Sequence, residues 1–289
     1  MTPALTANAP AKRSFQIDSK YVAPILISCI LLVGHFTTGM LADWQKTAVC
    51  IIVSILTEAI FGFITNKKMP HLASAYVSGI SCGILVRSAE WWPFIVAPAL
   101  SVISKYVIRV DGRHLWNPSN LAIVLLLLLA PQSMYTLSFQ FGNHVWAGIV
   151  VWILGSVIIY RLKRFHICAT YILCFFGFAL VRALLNHDMS LVNAFKFEIA
   201  PITGPMYQLF IFFMITDPKT TVHSKKGQML VAFLVAAMEF LLRQYGKNWN
   251  VHIASHAPYF ALTLMGPAAN LIEIYKARQA KKSAISPAR

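Results

Sequence analysis

Residues 112–130 read GRHLWNPSN followed by LAIVLLLLLA. Hydrogen-bonding side chains crowd there against the mouth of a hydrocarbon-like run. Asn117 has the chemistry of a helix cap, and Pro118 suits the first helical position, where a missing N–H costs nothing. A ligand site at a membrane boundary accounts for the same crowding. The motif alone supports both readings, so the rest of the chain must decide.

The chain has 289 residues, 57% of them apolar and only 12% charged, where a soluble domain carries about 25% charge. It reads as an integral membrane protein with no room for a sizeable soluble domain. Ten apolar segments are predicted at 21–41, 47–65, 71–86, 91–108, 118–130, 145–160, 167–185, 198–216, 228–242 and 256–275. Several fall short of the roughly 20 residues that cross a bilayer unaided, so tilted or partial crossings are expected. Of the 25 Lys and Arg, 19 lie in the two tails and the even-numbered loops, with Lys105 counted in the loop it borders. Five lie in the odd-numbered loops, and Arg182 sits within a segment. The positive-inside rule then places both termini in the cytoplasm. The net charge of +15 is thereby directed at anionic lipid headgroups, and nucleic acid is not an expected partner. Residues 1–20 are read as a polar tail without a secretory signal, 21–275 as one membrane domain, and 276–289 as a basic tail. The five cysteines lie in or beside apolar segments without CxxC spacing and read as buried thiols.

Ten segments divide into five plus five, 21–130 and 145–275. The expected fold is an all-α polytopic membrane protein of about ten transmembrane helices in two inverted five-helix repeats, some of them short or broken. Such folds carry a weak or interrupted segment at matching positions in each half. The third segment, HLASAYVSGISCGILV (71–86), is rich in Ser, Gly and Ala, and the eighth, EIAPITGPMYQLF (198–210), holds Pro201, Gly204 and Pro205. Broken helices leave free backbone groups that are tolerated only inside protein or beside a cavity. Close packing through small residues is the competing explanation.

Two carboxylates fall within segments, Glu58 and Glu239. Intramembrane acids are candidates for an ion pathway, although both lie near segment ends, where snorkelling is cheap. Glu239 and Arg243 are four apart and also suit a helix-surface pair. His252 and His256 share that spacing, but lack an HExxH glutamate or third ligand and read as an outer-loop pair, with no metal. No phosphate loop, nucleophile elbow or triad is visible.

Two motifs then carry a family resemblance: KYVIRVDGRHLWNPS (105–119) and FFMITDPKT (212–220), the latter followed within a few residues by KKG. Together with Thr57-Glu58-Ala59 they resemble the membrane subunits RnfD and NqrB of ion-pumping electron-transport complexes, over the whole chain and in the same ten-segment order. The resemblance implies a bacterial cytoplasmic membrane, redox or biosynthetic partner proteins, and electron transfer through a bound flavin. On that pattern a noncovalent flavin (riboflavin or FMN) meets His114, Asn117 and Asn120, and Thr216 and Asp217 complete the site. Where the family commonly has Asn, this chain has His114. The family's covalent FMN threonine motif is not found in the short stretch 131–144 or elsewhere, so covalent FMN is not expected. The chain looks most like the stand-alone RnfD-like proteins encoded beside enediyne-type biosynthesis clusters. A small-molecule or ion permease on the same fold, and a membrane scaffold for a biosynthetic complex, are the alternatives.

Serine caps a helix as well as asparagine does, but it lacks the amide's paired donor and acceptor. Asn117→Ser is therefore expected to keep expression and melting temperature near wild type while sharply lowering ligand occupancy. Trp116→Phe is expected to be milder, its ring still shielding the pocket. Early melting of Asn117→Ser with unchanged ligand content would make Asn117 a cap and nothing more.

Overall fold

Each apolar stretch recognised in the sequence contains helix in the computed structural model, which describes residues 19–39, 43–136 and 145–285. Helices α1 (Ser19–Thr38), α2 (Trp44–Asn66), α3 (Ala73–Leu85), α4 (Trp92–Val107) and α5 (Pro118–Leu129) make the first half. Helices α6 (Val145–Arg161), α7 (Phe165–Leu184), α8 (Leu191–Ile199), α9 (Pro205–Leu209), α10 (Lys225–Trp249), α11 (Val251–Ser255) and α12 (Ala257–Ile285) make the second. Among the described residues, α2, α7 and residues 225–246 of α10 are long and apolar enough to cross a membrane. Five shorter apolar helices, from α1 and α3 to α6, accompany them. Large apolar side chains such as Ile64, Leu129 and Leu173 face outward, as they do where lipid replaces water as the solvent.

The two segments singled out for their composition differ in how they solve the backbone problem. α3 is an unbroken helix with two working faces. Gly79 and Gly83 turn towards α2, where a Cβ on Gly79 would stand 2.7 Å from the Ile51 Cα and 2.9 Å from the Cys50 carbonyl oxygen. This is the close backbone approach that small residues four apart permit. Ser74, Ser78 and Ser81 line a cavity instead. Small-residue packing and a cavity, posed as rivals, thus occupy the same helix.

The eighth segment is broken where its prolines and glycine stand. α8 ends at Ile199, a 3-10 turn covers Ala200–Thr203, α9 begins at Pro205, and a π-helical turn spans Phe210–Met214. The wide turn accommodates one residue too many for an α-helix, a feature that recurs at functional sites. The predicted segments leave 186–197 as a connection, whereas Leu191–Ile199 is helical. α12 runs on through Ile285, so the described part of the basic tail is helical. Residues 1–18, 40–42, 137–144 and 286–289, on which parts of the tail, first-segment and outer-loop readings rest, lie outside the described residues.

Four two-residue strands complete the structure. β1 (Val86–Arg87) pairs antiparallel with β4 (Tyr135–Thr136) on one face. On the other, β2 (Arg109–Val110) pairs with β3 (Arg113–His114). The β2–β3 hairpin turns through Asp111 (φ 52°) and Gly112 (φ 76°), the two positive φ values that a type I′ turn requires and that Asp-Gly supplies.

Gly79→Val should wedge α3 from α2 and lower the melting temperature by several degrees, a backbone clash that no rotamer relieves. Gly177→Ala serves as the control, because nothing lies within 4 Å of a Cβ there. Thermal unfolding in mild detergent reads both. Equal melting of the two variants would remove the close α2–α3 contact from this account.

Candidate functional site

The capping and the binding interpretations of Asn117 are both realised. Its Oδ1 accepts from the backbone N–H of Asn120 at 3.1 Å and from the Ser119 hydroxyl at 3.1 Å, and Pro118 occupies the first turn. Its Nδ2 reaches across to the second half and donates to Asp217 Oδ2 at 3.2 Å. Asp217 also accepts from Lys219 N at 3.0 Å and from the Thr220 hydroxyl at 3.1 Å. Thr216 donates back to the Phe212 carbonyl at 2.8 Å, satisfying a carbonyl freed at the end of the π turn. The start of α5 and the end of the broken segment are thereby laced together.

They meet around a cavity of about 500 Å³, a size suited to a small organic ligand. His114, Asn117, Thr216 and Asp217 all line it. The α3 serines and Lys105 give it a polar side, and Ile158, Leu162, Phe212 and Phe213 give it an apolar one. Trp152 braces the Phe212 ring edge-on from behind, with centroids 5.0 Å apart. An amphipathic slot of this kind can hold a flat aromatic system against hydrocarbon while hydrogen bonding one edge.

The electrostatics favour neutral groups at the mouth. Burial, reinforced by nearby Arg109, Lys219 and Lys105, pushes the His114 imidazole down to about 4, so it is uncharged at neutral pH. Its Nδ1 is buried with no hydrogen-bond partner among the described residues, an orphaned polar atom that a ligand group would satisfy. Burial also raises the Asp217 carboxyl above the ordinary aspartate value, against the pull of its hydrogen bonds from Lys219, Thr220 and Asn117.

Two expectations need correction. Asn120 is not a lining residue. Its amide donates to the Tyr259 carbonyl at 3.1 Å and to Thr263 Oγ1 at 2.7 Å, fastening α5 to α12. Trp116 likewise turns to α12, donating to the Thr263 carbonyl at 2.9 Å, and does not shield the cavity.

Glu58 and Glu239 are 8% and 1% exposed, so neither snorkels. Glu58 accepts from Lys105 at 3.2 Å and from the Tyr106 hydroxyl at 2.7 Å, and Lys105 links that pair to the cavity wall. Glu239 accepts from Tyr171 at 2.5 Å and from Tyr207. Its partner Arg243 stands 3.6 Å away and bonds Glu198 at 3.0 Å, which also takes Arg182 at 2.6 Å. The Glu239–Arg243 pair is thus part of a buried four-charge network and not a helix-surface pair. His256 is buried too, with Nδ1 2.7 Å from the His252 carbonyl oxygen. Among the described residues no group of His, Cys, Asp and Glu could hold a metal.

Several residues that build the site gave no signal in the sequence. Arg113 bonds Glu273 at 2.7 Å, Asn270 at 3.0 Å and the Thr221 carbonyl at 3.2 Å. Arg278 grips Asp111 through Nε at 2.8 Å and Nη2 at 2.5 Å. Together they clamp the β2–β3 hairpin, and with it His114, onto α12. The only sequence hint was the excess of basic residues in these loops.

Comparison with known proteins finds relatives over part of the chain. Residues 140–282 match the model of the NQR2, RnfD, RnfE family, a span that includes the Thr216-Asp217-Pro218 turn. Proteins named as the RnfD component of an ion-translocating oxidoreductase complex are similar over more of the chain. The one from Shewanella piezotolerans is 22% identical over 274 residues, 70% of this chain and 77% of that protein. The one from Shewanella sediminis is 26% identical over 251 residues, covering 75% and 67%. That from Shewanella pealeana is 28% identical over 159 residues, half of this chain and 41% of its own length.

Breaking a buried ion pair from one side leaves a bare charge and costs about 3–5 kcal/mol, while removing both partners costs far less. Glu58→Gln and Lys105→Met should therefore each lower the melting temperature more than the double variant does. Additive losses across the four proteins would show that the pair is not desolvated as described.

Proposed function

From kinship with the RnfD membrane subunits, we propose that this chain is an electron-transfer subunit of an ion-translocating oxidoreductase complex and holds one flavin noncovalently. The observation that carries the reading is the shared cavity. The two motif-bearing ends, one from each half, line a single slot with an apolar side and a hydrogen-bonding side. An isoalloxazine presents the complementary surface, a flat ring system with donors and acceptors along its pyrimidine edge. His114, Asn117 and Asp217 would meet that edge, and the α3 serines suit a polyol chain. Bound flavin would supply one- and two-electron chemistry. The chain's own groups bind and orient it, keep bulk water from its apolar face, and present a neutral imidazole in place of a cation.

The fold in this reading is ten crossings in two inverted halves, in the cytoplasmic membrane, with the cavity on the face that carries most of the Lys and Arg. Packing of α1 on α6, α3 on α9 and α5 on α12 supports it, because corresponding helices of two related halves meet across a shared axis. Partner proteins would deliver and remove the electrons.

Purified protein in mild detergent should be yellow, with about one flavin per chain. Acid denaturation should release all of the flavin into the supernatant. His114→Leu should lower occupancy more than it lowers the melting temperature. A correctly folded, colourless protein that cannot be reconstituted with riboflavin or FMN would overturn the proposal. Solute uptake by flavin-free vesicles would favour a permease instead.

A further inference from the structure

The outer face of α6 carries a second concavity, independent of the ligand cavity. Ile149, Trp152, Ile153, Val157, Tyr160 and Arg161, with Ser156 as the one small polar residue among them, line a groove of about 750 Å³. Their spacing of three and four residues puts them on one stripe of the helix. From Ile149 to Arg161 the stripe rises about 18 Å at 1.5 Å per residue. That is close to one leaflet of a hydrocarbon core about 30 Å thick.

The groove changes character at one end. Beyond Tyr160 the chain turns through Arg161, Lys163 and Arg164 before α7 begins at Phe165. The side chains of Arg161 and Lys163 are exposed and make no hydrogen bond or ion pair with another described residue. An apolar trough of leaflet length, closed by cations with no ion-pair partner among the described residues, has the charge and shape complement of one ligand class. We propose that this groove binds an anionic phospholipid, one acyl chain along α6 and the phosphate between Arg161 and Lys163. The trough selects the chain, and the cations select the headgroup over a zwitterionic one.

Behind the groove lies the ligand cavity. Trp152 lines the groove and packs on Phe212 of the cavity wall. Lipid binding nevertheless requires nothing of the cavity's occupant, so the two proposals stand or fall apart.

Full-length protein in nanodiscs should be titrated with phosphatidylglycerol and phosphatidylcholine of identical acyl chains, and bound lipid counted by native mass spectrometry. One phosphatidylglycerol should be retained in strong preference to phosphatidylcholine. Arg161→Gln with Lys163→Gln, both at exposed positions, should cut that preference by about tenfold. Val157→Trp, which fills the trough, should expel the lipid, and soluble glycerol phosphate should not compete for the site. Equal retention of the two lipids, or an unchanged preference in the double variant, would overturn the proposal. So would competition by glycerol phosphate, or a membrane partner found seated on α6.

Discussion

The hydrogen bond from Asn117 to Asp217 joins the two motif-bearing ends directly. In a membrane no water is at hand to complete interrupted backbone, so each break must be closed by protein or lie beside a polar cavity. The chain has such ends at the start of α5 and after the π turn, and it sets them against each other. Asn117 closes the first by capping Asn120. Thr216 and Thr221 close the second through the Phe212 and Asp217 carbonyls. The amide-to-carboxylate bond across the gap fixes their spacing, and the cavity is the space left between them.

Around that contact the buried carboxylates are each matched to a base. Glu58 with Lys105 and Tyr106 stands on the cavity side, and Glu198, Glu239, Arg182 and Arg243 form a second network with Tyr171 and Tyr207. Both arrangements match acids to bases, as buried charges must be. At the cavity wall, the orphaned Nδ1 and lowered pKa of His114 leave an uncharged hydrogen-bonding atom.

Much of this was legible in the sequence because membrane solvation writes strongly. Apolar runs give helices, and Pro201, Gly204 and Pro205 mark a break that the backbone obeys. The cap at Asn117 follows from the Asn-Pro pair itself, whereas the grouping of His114, Asn117, Thr216 and Asp217 around one cavity was an expectation of the family resemblance. What was not legible depends on direction. Asn120 and Trp116 lie in the same motif but point to α12, a direction that neither residue type nor position in the motif reports. Glu239 looked like a surface partner of Arg243, because spacing reports neighbours along a helix and says nothing of what covers them. The Arg113 and Arg278 clamps join residues more than 150 positions apart, beyond the reach of any local pattern.

The central claim is that the two motif ends enclose a flavin. A cryo-electron microscopy map of protein purified without added ligand tests it most directly. The account predicts density for a planar three-ring molecule in the slot between the α3 serines and Phe212, with one edge against His114, Asn117 and Asp217 and no bond to any side chain. A flavin resolved elsewhere in the fold, or a slot filled only by water in a protein that carries flavin, would contradict it.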